Sequence, residues 1–235
     1  MRTGRIYTTL AWAAALVLWM ATYASAVEGC WGVGVAGGKV WTVEGTGRED
    51  GTYKYWLERY DNSEILAVNA TYLWELMPGL YGGPELTVEN YELTLSQKAY
   101  PGNRAANIGK LQMTPILLAL KLQAFPRNPK GWGGHFDIGA GIVTSDFDAG
   151  PDYYVTSTTL EVVTRESPVY TIAGGLDYFF ARHLAAAVTV RYIYGSIDHT
   201  WRSLAADPGY TASGDSKGQF NISHTQLLLG IRAYF

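Results

Sequence analysis

Gln226-Leu-Leu-Leu-Gly-Ile-Arg-Ala-Tyr-Phe235 closes the chain and decides the predicted fold. The odd-numbered positions form one apolar face: Leu227, Leu229, Ile231, Ala233 and Phe235. The even-numbered positions include Gln226 and Arg232, so the opposite face tolerates polar groups. A repeat of two is the side-chain period of a β-strand, and it predicts a strand over about 219–235 with one face against an apolar medium.

The aromatic last residue of this strand resembles the C-terminal signature of bacterial outer-membrane β-barrels. That resemblance implies that Phe235 is an assembly signal read by the barrel-assembly machinery. The pattern of the strand is consistent with it, because the strands of a membrane barrel turn apolar side chains toward lipid and polar ones toward the lumen.

Seven further segments show the same alternation or a glycine-rich variant of it. The predicted strands lie at about 31–42, 66–74, 82–96, 116–124, 135–142, 170–180, 184–194 and 219–235. Their connectors alternate between short ones (75–81, 126–131, 181–183) and long polar ones (43–64, 97–108, 147–167, 200–217). Short turns at one end and long loops at the other are typical of an outer-membrane barrel. We therefore predict an all-β, eight-stranded, antiparallel, up-and-down transmembrane β-barrel; a soluble β-sandwich is the alternative.

The outward positions follow from the alternation. Five of them are expected to face lipid: Leu118, Ile138, Leu184, Val188 and Val190. Aromatic residues are expected in two girdles at the membrane interfaces. The periplasmic girdle would hold Trp74, Phe125, Trp132, Phe136, Tyr178, Phe180 and Phe235, and the outer girdle Tyr170, Tyr192 and Tyr194.

The first 26 residues have the features of a secretory signal peptide. Arg2 and Arg5 precede an apolar stretch that ends in Ala24-Ser-Ala26, a cleavage pattern. The apolar stretch is shorter than the roughly 20 residues of an anchoring helix, which is the alternative. We expect cleavage of 1–26, a barrel domain at 27–235 and a location in the bacterial outer membrane. Cys30 is the single cysteine, and Glu28 makes the residues before it a poor lipidation motif.

Charge and motifs exclude several classes of function. Cleavage would remove two of the 18 basic side chains and none of the 21 acidic ones, so nucleic acid is not an expected partner. Gly32-Val-Gly-Val-Ala-Gly37 matches a dinucleotide fingerprint, but that motif needs a preceding strand and a following helix, and neither is predicted. We expect no cofactor.

No catalytic or metal site is predicted either. The histidines, His135, His183, His199 and His224, lack metal-ligand spacing. Asp198 and His199 lie near Ser203, but adjacent side chains on a strand point to opposite faces and cannot form the orienting pair of a hydrolase. We therefore predict that the protein is not an enzyme.

Charged residues at inward positions are the candidate site. They are Glu85, Glu89, Lys121, Asp137, Asp177, Arg191 and Arg232. The short turn at 126–131 places Lys121 opposite His135 or Asp137. Buried charges need partners, so a salt-bridged plug is expected in a lumen that eight strands leave barely wide enough for side chains.

Residues 105–235 resemble the OmpW family of small outer-membrane barrels. The resemblance rests on Thr114-Pro115 opening a strand that ends at Phe125, the glycine-rich Gly133–Val143 segment, and a hairpin containing Gly175–Tyr178 and Val190–Ile193. It implies a role in the passage of small hydrophobic molecules across the outer membrane. The alternative is a non-transporting structural or envelope-interaction barrel with a salt-bridged lumen.

The expected partners are outer-membrane lipid and lipopolysaccharide, the assembly machinery and a small hydrophobic solute. The lumen near Tyr91, Val143 and Ile193 is expected to be apolar enough to hold that solute. Gly139, Gly141 and Gly175 are expected to leave space in the wall for its sideways exit.

Overall fold

The protein is a closed antiparallel β-barrel in a computed structural model that describes residues 29–42, 48–49, 57–60, 63–97, 106–149, 159–204 and 216–235. The strands are β1 (Cys30–Thr42), β2 (Arg48–Glu49), β3 (Leu57–Tyr60), β4 (Ser63–Met77), β5 (Leu80–Gln97), β6 (Ala106–Ala124), β7 (Gly131–Ala149), β8 (Thr159–Thr164), β9 (Ser167–Ala181), β10 (Leu184–Leu204), β11 (Ser216–Asn221) and β12 (His224–Tyr234). Residues 1–28 lie outside the described part, so the signal peptide at 1–26 stays a prediction. Among the described residues, no helix has the length and apolar character to cross a membrane.

Eight of these strands form the wall, in the order β1, β4, β5, β6, β7, β9, β10, β12. Each pairs with its neighbours in the chain, and β12 closes the circle by pairing with both β10 and β1. The closure reaches the last residue, because Phe235 and Trp31 exchange two backbone hydrogen bonds of 2.7 and 3.1 Å. The predicted eight-stranded up-and-down barrel is confirmed. Closure leaves no unpaired strand edge along the circumference, as hydrocarbon surroundings require.

Side-chain alternation divides the wall into an apolar exterior and a filled interior. The five residues expected to face lipid are all exposed, from 38% for Leu184 to 61% for Leu118. On β10 the even positions from 184 to 190 are exposed and the odd positions from 185 to 193 are buried. Large exposed rings lie near the short turns, including Trp74, Trp132 and Phe180, as a girdle requires.

Phe125 does not belong to that girdle. It shares the inward parity of Lys121 and Gln123 and contacts the rings of Tyr81 and Tyr234 edge-on, at 4.9 and 5.0 Å between centroids. Its assignment to the exterior was wrong, since the inward face of β6 continues past the end of the strand into the turn.

The strands also extend farther than the sequence predicted. The predicted long connectors contain β2, β3, β8 and the first two residues of β11, and β10 runs on to Leu204; the predicted last strand at 219–235 is divided between β11 and β12. Three of these segments pair with wall strands beyond the apolar band, β3 with β5 and both β8 and β11 with β10, while β2 pairs with β11. An alternation of apolar and polar residues marks only the part of a strand with lipid on one side, so the extensions carried no such signal.

Candidate functional site

The interior of the barrel is stacked in layers from the short turns to the long loops. Next to the short turns, Leu73, Phe179, Ala185 and Tyr234 form a small apolar floor. Above it lies a charged network, and above that an apolar cluster reaches toward the loops. Strands β5, β7 and β10 run from the short turns toward the long loops. They set this order, because their inward residues change from charged to apolar along the chain.

All seven inward charges named from the sequence lie inside the barrel, each at most 6% exposed. Lys121 on β6 lies between two carboxylates. Its Nζ is 2.6 Å from Glu85 Oε2 and 3.8 Å from Asp137 Oδ1. Lys121 and Asp137 are opposite each other in the β6–β7 register, as the turn length predicted. The shorter contact is nevertheless with Glu85 on β5, which the sequence did not indicate.

Asp177 and Arg232 form a second group near the floor. Arg232 Nη1 donates to Asp177 Oδ1 at 3.0 Å, and Gln123 donates to Asp177 Oδ2 at 3.0 Å. His135 Nδ1 lies 2.8 Å from the same oxygen, while its Nε2 lies 3.0 Å from the Thr189 hydroxyl. Asp177 therefore accepts hydrogen bonds from side chains on three other strands, β6, β7 and β12.

Arg191 and Glu89 form a third group, just below the apolar cluster. Arg191 Nη1 donates to Glu89 Oε1, and its Nη2 lies 3.8 Å from Glu85 Oε1. Gln226 donates to Glu89 Oε2 at 2.8 Å. His224 Nδ1 is 2.5 Å from the Ile222 carbonyl oxygen, so that nitrogen donates and Nε2 is free to accept from Gln226.

Four buried carboxylates in this network face three permanent cations. Glu85, Glu89 and Asp177 each accept at least one hydrogen bond from a cationic side chain. Both oxygens of Asp137 are buried without a hydrogen-bond partner. The network therefore holds one carboxylate more than its cations bind directly.

Sequence reasoning missed the neutral members of the network, which are Gln123, Thr189, Gln226, His224 and Tyr234. Each is polar and lies at an inward position of its strand, and that parity was the signal that could have identified them. Within the described residues, no group of three or more His, Cys, Asp and Glu side chains is placed to hold a metal ion.

The apolar cluster fills the lumen above the charges. It contains Val40, Ile65, Tyr91, Leu93, Leu111, Met113, Leu117, Val143, Val169, Ile193, Ile197, Phe220, Ile222 and Leu228. Tyr91, Val143 and Ile193, the three residues expected to line an apolar upper lumen, all belong to it. We call this group the upper cluster.

The glycines expected to leave space in the wall do not do so. A Cβ added at Gly139, Gly141 or Gly175 would lie 2.1 to 2.4 Å from a carbonyl oxygen of the neighbouring strand. At Gly175 it would also lie 2.5 Å from His135 Cε1. These glycines allow close approach of the adjacent backbone and of the His135 ring, so that part of the wall is closed rather than weak.

The backbone pairing of β5 with β6 is interrupted beside the upper cluster. Val88 pairs with Ile116 and Tyr91 with Met113, but the two positions between them do not pair. Pro115 lies in this gap and has no N–H to donate. One side-chain hydrogen bond crosses it, from the Asn90 amide to the Thr114 hydroxyl at 3.3 Å. The interruption is at the height of Tyr91 and Met113, both buried in the upper cluster.

The comparisons agree with the barrel fold. No family model and no curated protein matches the sequence. The structure is similar to the crystal structure of the outer membrane protein OprG from Pseudomonas aeruginosa, with a TM-score of 0.67 and 13% identity, over 88% of this chain and 96% of that chain. It also matches the solid-state NMR structure of the outer membrane protein AlkL, with a TM-score of 0.48 and 17% identity, over 88% and 90% of the two chains. At 13% identity, the likeness to OprG shows a shared fold.

Proposed function

We propose that this chain, an eight-stranded β-barrel of the bacterial outer membrane, passes small hydrophobic molecules from its outer face into the membrane. The observation that carries the proposal is the upper cluster, an apolar interior that lies on the loop side of a charged layer. An apolar molecule gains about 25 cal/mol for each Å² that it removes from water, so it would be held there. A sugar or an ion would gain nothing in that layer.

The charged network supports a sideways exit. Its side chains come from six wall strands and fill the lumen between the upper cluster and the floor. An apolar solute would have to separate buried ion pairs in order to continue toward the periplasm, and breaking such a pair costs about 3–5 kcal/mol. The gap at Pro115 offers a shorter path, because it lies in the wall beside Met113 and next to the outward-facing Ile116.

A non-transporting barrel is the second candidate, and the packing of the interior favours it. Leu111, Met113, Val143 and Ile193 have no exposed surface, so a solute must move side chains to enter. Under this alternative the network and the upper cluster together form one plug, and the exposed parts of the loops bind external partners or stabilise the envelope.

We also propose that the chain is not an enzyme. Thr189, His135 and Asp177 lie in the order of a nucleophile, a base and an orienting acid. Two features argue for a structural role. The group lies between the floor and the upper cluster, away from any substrate, and Arg232 also donates to Thr189 at 3.3 Å.

The proposed partners follow from the same placement. Outer-membrane lipid and lipopolysaccharide surround the apolar exterior. The assembly machinery is the proposed reader of Phe235, whose ring is 54% exposed at the end of the closing strand. Cleavage after residue 26 remains part of the proposal, since export precedes assembly.

Uptake by vesicles whose outer leaflet is lipopolysaccharide tests the transport proposal. Vesicles containing the protein should take up an apolar dye faster than empty vesicles, with no gain for a small sugar. Met113→Asp should reduce dye uptake by placing a charge in the upper cluster, whereas Met113→Leu, which nearly conserves volume, should not. Heat-modifiability on gels would show that both variants fold. If protein-containing vesicles take up dye no faster than empty ones, the non-transporting candidate stands.

A further inference from the structure

Three aromatic rings form a stack over the loop-side end of the upper cluster. His199 and Phe220 lie face to face, with centroids 3.9 Å apart and planes 13° apart. The Phe147 and Phe220 ring centroids are 6.1 Å apart, with planes 19° apart. The three rings therefore share nearly one orientation. We call them the aromatic stack.

The stack brings a residue of β7 against the paired strands β10 and β11. His199 is on β10 and Phe220 on β11, where Ile197 and Phe220 are directly paired. Phe147 comes from β7, which is separated from β10 by β8 in this part of the barrel. Phe220 is a buried member of the upper cluster, and Phe147 packs against that cluster while staying partly exposed. Phe147 is therefore a partly exposed ring at the loop-side end of the upper cluster.

The stack is an uncharged surface at neutral pH. Burial lowers the pKa of His199 to about 4, so its imidazole is neutral. The adjacent carboxylate of Asp198 is on the opposite face of β10, where Gln219 donates to it at 2.8 Å. The rings therefore offer flat, uncharged π surfaces, and the Asp198 carboxylate is directed away from them.

We propose that the aromatic stack is a binding site for planar aromatic solutes at the mouth of the barrel. This inference rests on the proposed transport function, and it names the class of solute which that function prefers. A flat ring would displace Phe147 and take its place against Phe220. Parallel offset rings attract at centroid separations of 4.5–7 Å, a range that includes the 6.1 Å of the Phe147–Phe220 pair.

An aliphatic solute of the same size gains only the burial of its surface. It also separates Phe147 from Phe220 without replacing that ring contact. One aromatic pair contributes about 0.5–1.5 kcal/mol beyond area burial, which corresponds to a preference of about two- to tenfold for the aromatic solute.

Naphthalene and decalin test the site, because they share a carbon skeleton and differ in aromaticity. Uptake of each would be measured in vesicles with a lipopolysaccharide outer leaflet, as the rate above that of empty vesicles. The wild type should favour naphthalene two- to tenfold. Phe220→Leu should bring the ratio close to one while decalin uptake persists, whereas Phe147→Leu, which leaves the Phe220 ring in place, should keep the preference for naphthalene. Phe180→Leu, which removes an exposed ring at the opposite end of the barrel, is the matched control and should leave the ratio unchanged.

Two outcomes would overturn the site: a wild-type ratio near one, or a ratio that Phe220→Leu leaves unchanged. Failure of the transport function itself would look different, since neither solute would then exceed empty vesicles. In that case the site is tested by binding alone: naphthalene fluorescence would be titrated with the detergent-solubilised full chain. Binding that weakens at least twofold in Phe220→Leu but not in Phe180→Leu supports the site, and equal binding by all three proteins overturns it.

Discussion

Asp137 and Asp177 are both buried carboxylates of the lumen, but their surroundings differ. Asp177 accepts hydrogen bonds from Arg232 and Gln123 and contacts His135. Asp137 accepts none, and its nearest cation is the Lys121 Nζ at 3.8 Å, which is closer to Glu85. Burial of a charge is costly unless hydrogen bonds replace its hydration. The two aspartates should therefore contribute differently to stability.

We expect Asp137→Asn to leave the free energy of unfolding unchanged or slightly higher, because it removes the carboxylate in excess. Asp177→Asn should lower that free energy by about 3–5 kcal/mol, since it leaves Arg232 buried without its charged partner. Urea titration of the two variants in lipid vesicles measures both effects. An equal loss in both would contradict the difference drawn from their contacts.

Lys121 provides a second test at this scale. The sequence placed it opposite Asp137, and the structure adds a much shorter contact with Glu85. In double-mutant cycles, Lys121→Met should couple to Glu85→Gln by about 1–3 kcal/mol and more weakly to Asp137→Leu. Additive effects of Lys121→Met and Glu85→Gln would show that the 2.6 Å contact is not a stabilising interaction.

At the scale of the strand, Phe235 combines two roles that deletion would remove together. Its backbone exchanges two hydrogen bonds with Trp31, and its ring faces outward next to the short turns. Deletion of Phe235 should reduce the amount of heat-modifiable barrel severalfold while leaving export unchanged. Phe180→Ala is the control, because it removes an exposed girdle ring and keeps the closing strand. Normal barrel levels after the deletion would argue against an assembly signal at this residue.

The interrupted pairing of β5 with β6 makes a different prediction. Pro115→Ala supplies the missing N–H and should allow the two strands to pair beside Met113, which would slow uptake of an apolar dye. Pro84→Ala is the matched control. Pro84 lies in β5 where its pairing with β4 is interrupted, between Glu85 and Gly82, at the height of the charged layer and floor rather than of the upper cluster. Equal uptake by both variants and the wild type would exclude exit at Pro115.

The positions of the wall strands, and the side chains that point inward or outward, could be predicted from the sequence. Lipid on one side of the wall makes apolar residues recur at every second position. That period placed Lys121, Asp177 and Arg232 inside the barrel before any contact was known. It could not assign partners, since strand tilt brings diagonal positions such as Glu85 and Lys121 closer than opposite ones. It also could not show the gap at Pro115, which depends on the register of β5 against β6.

For the molecule as a whole, the layered lumen predicts a barrel that conducts poorly. In planar bilayers the wild type should show little conductance, because the charged network and the floor fill the lumen below the upper cluster. Eight strands leave an interior that side chains just fill, so truncation of a single side chain should not open a pore. Large, stable channel currents from the purified protein would contradict the closed lumen and with it the sideways route.

The charged network has a further consequence for how the barrel is completed. The contact between Glu89 and Gln226 joins residues 137 positions apart, and Arg232 reaches Asp177 across 55 positions. Neither contact exists until β12, the last strand, meets the rest of the wall. A slip of one residue in β12 would turn Arg232 toward lipid, and a slip of two would move it about 7 Å along the wall from Asp177. A barrel closed with β12 in the wrong register therefore leaves buried charges without partners. The network thus makes the correct register of β12 the most stable one.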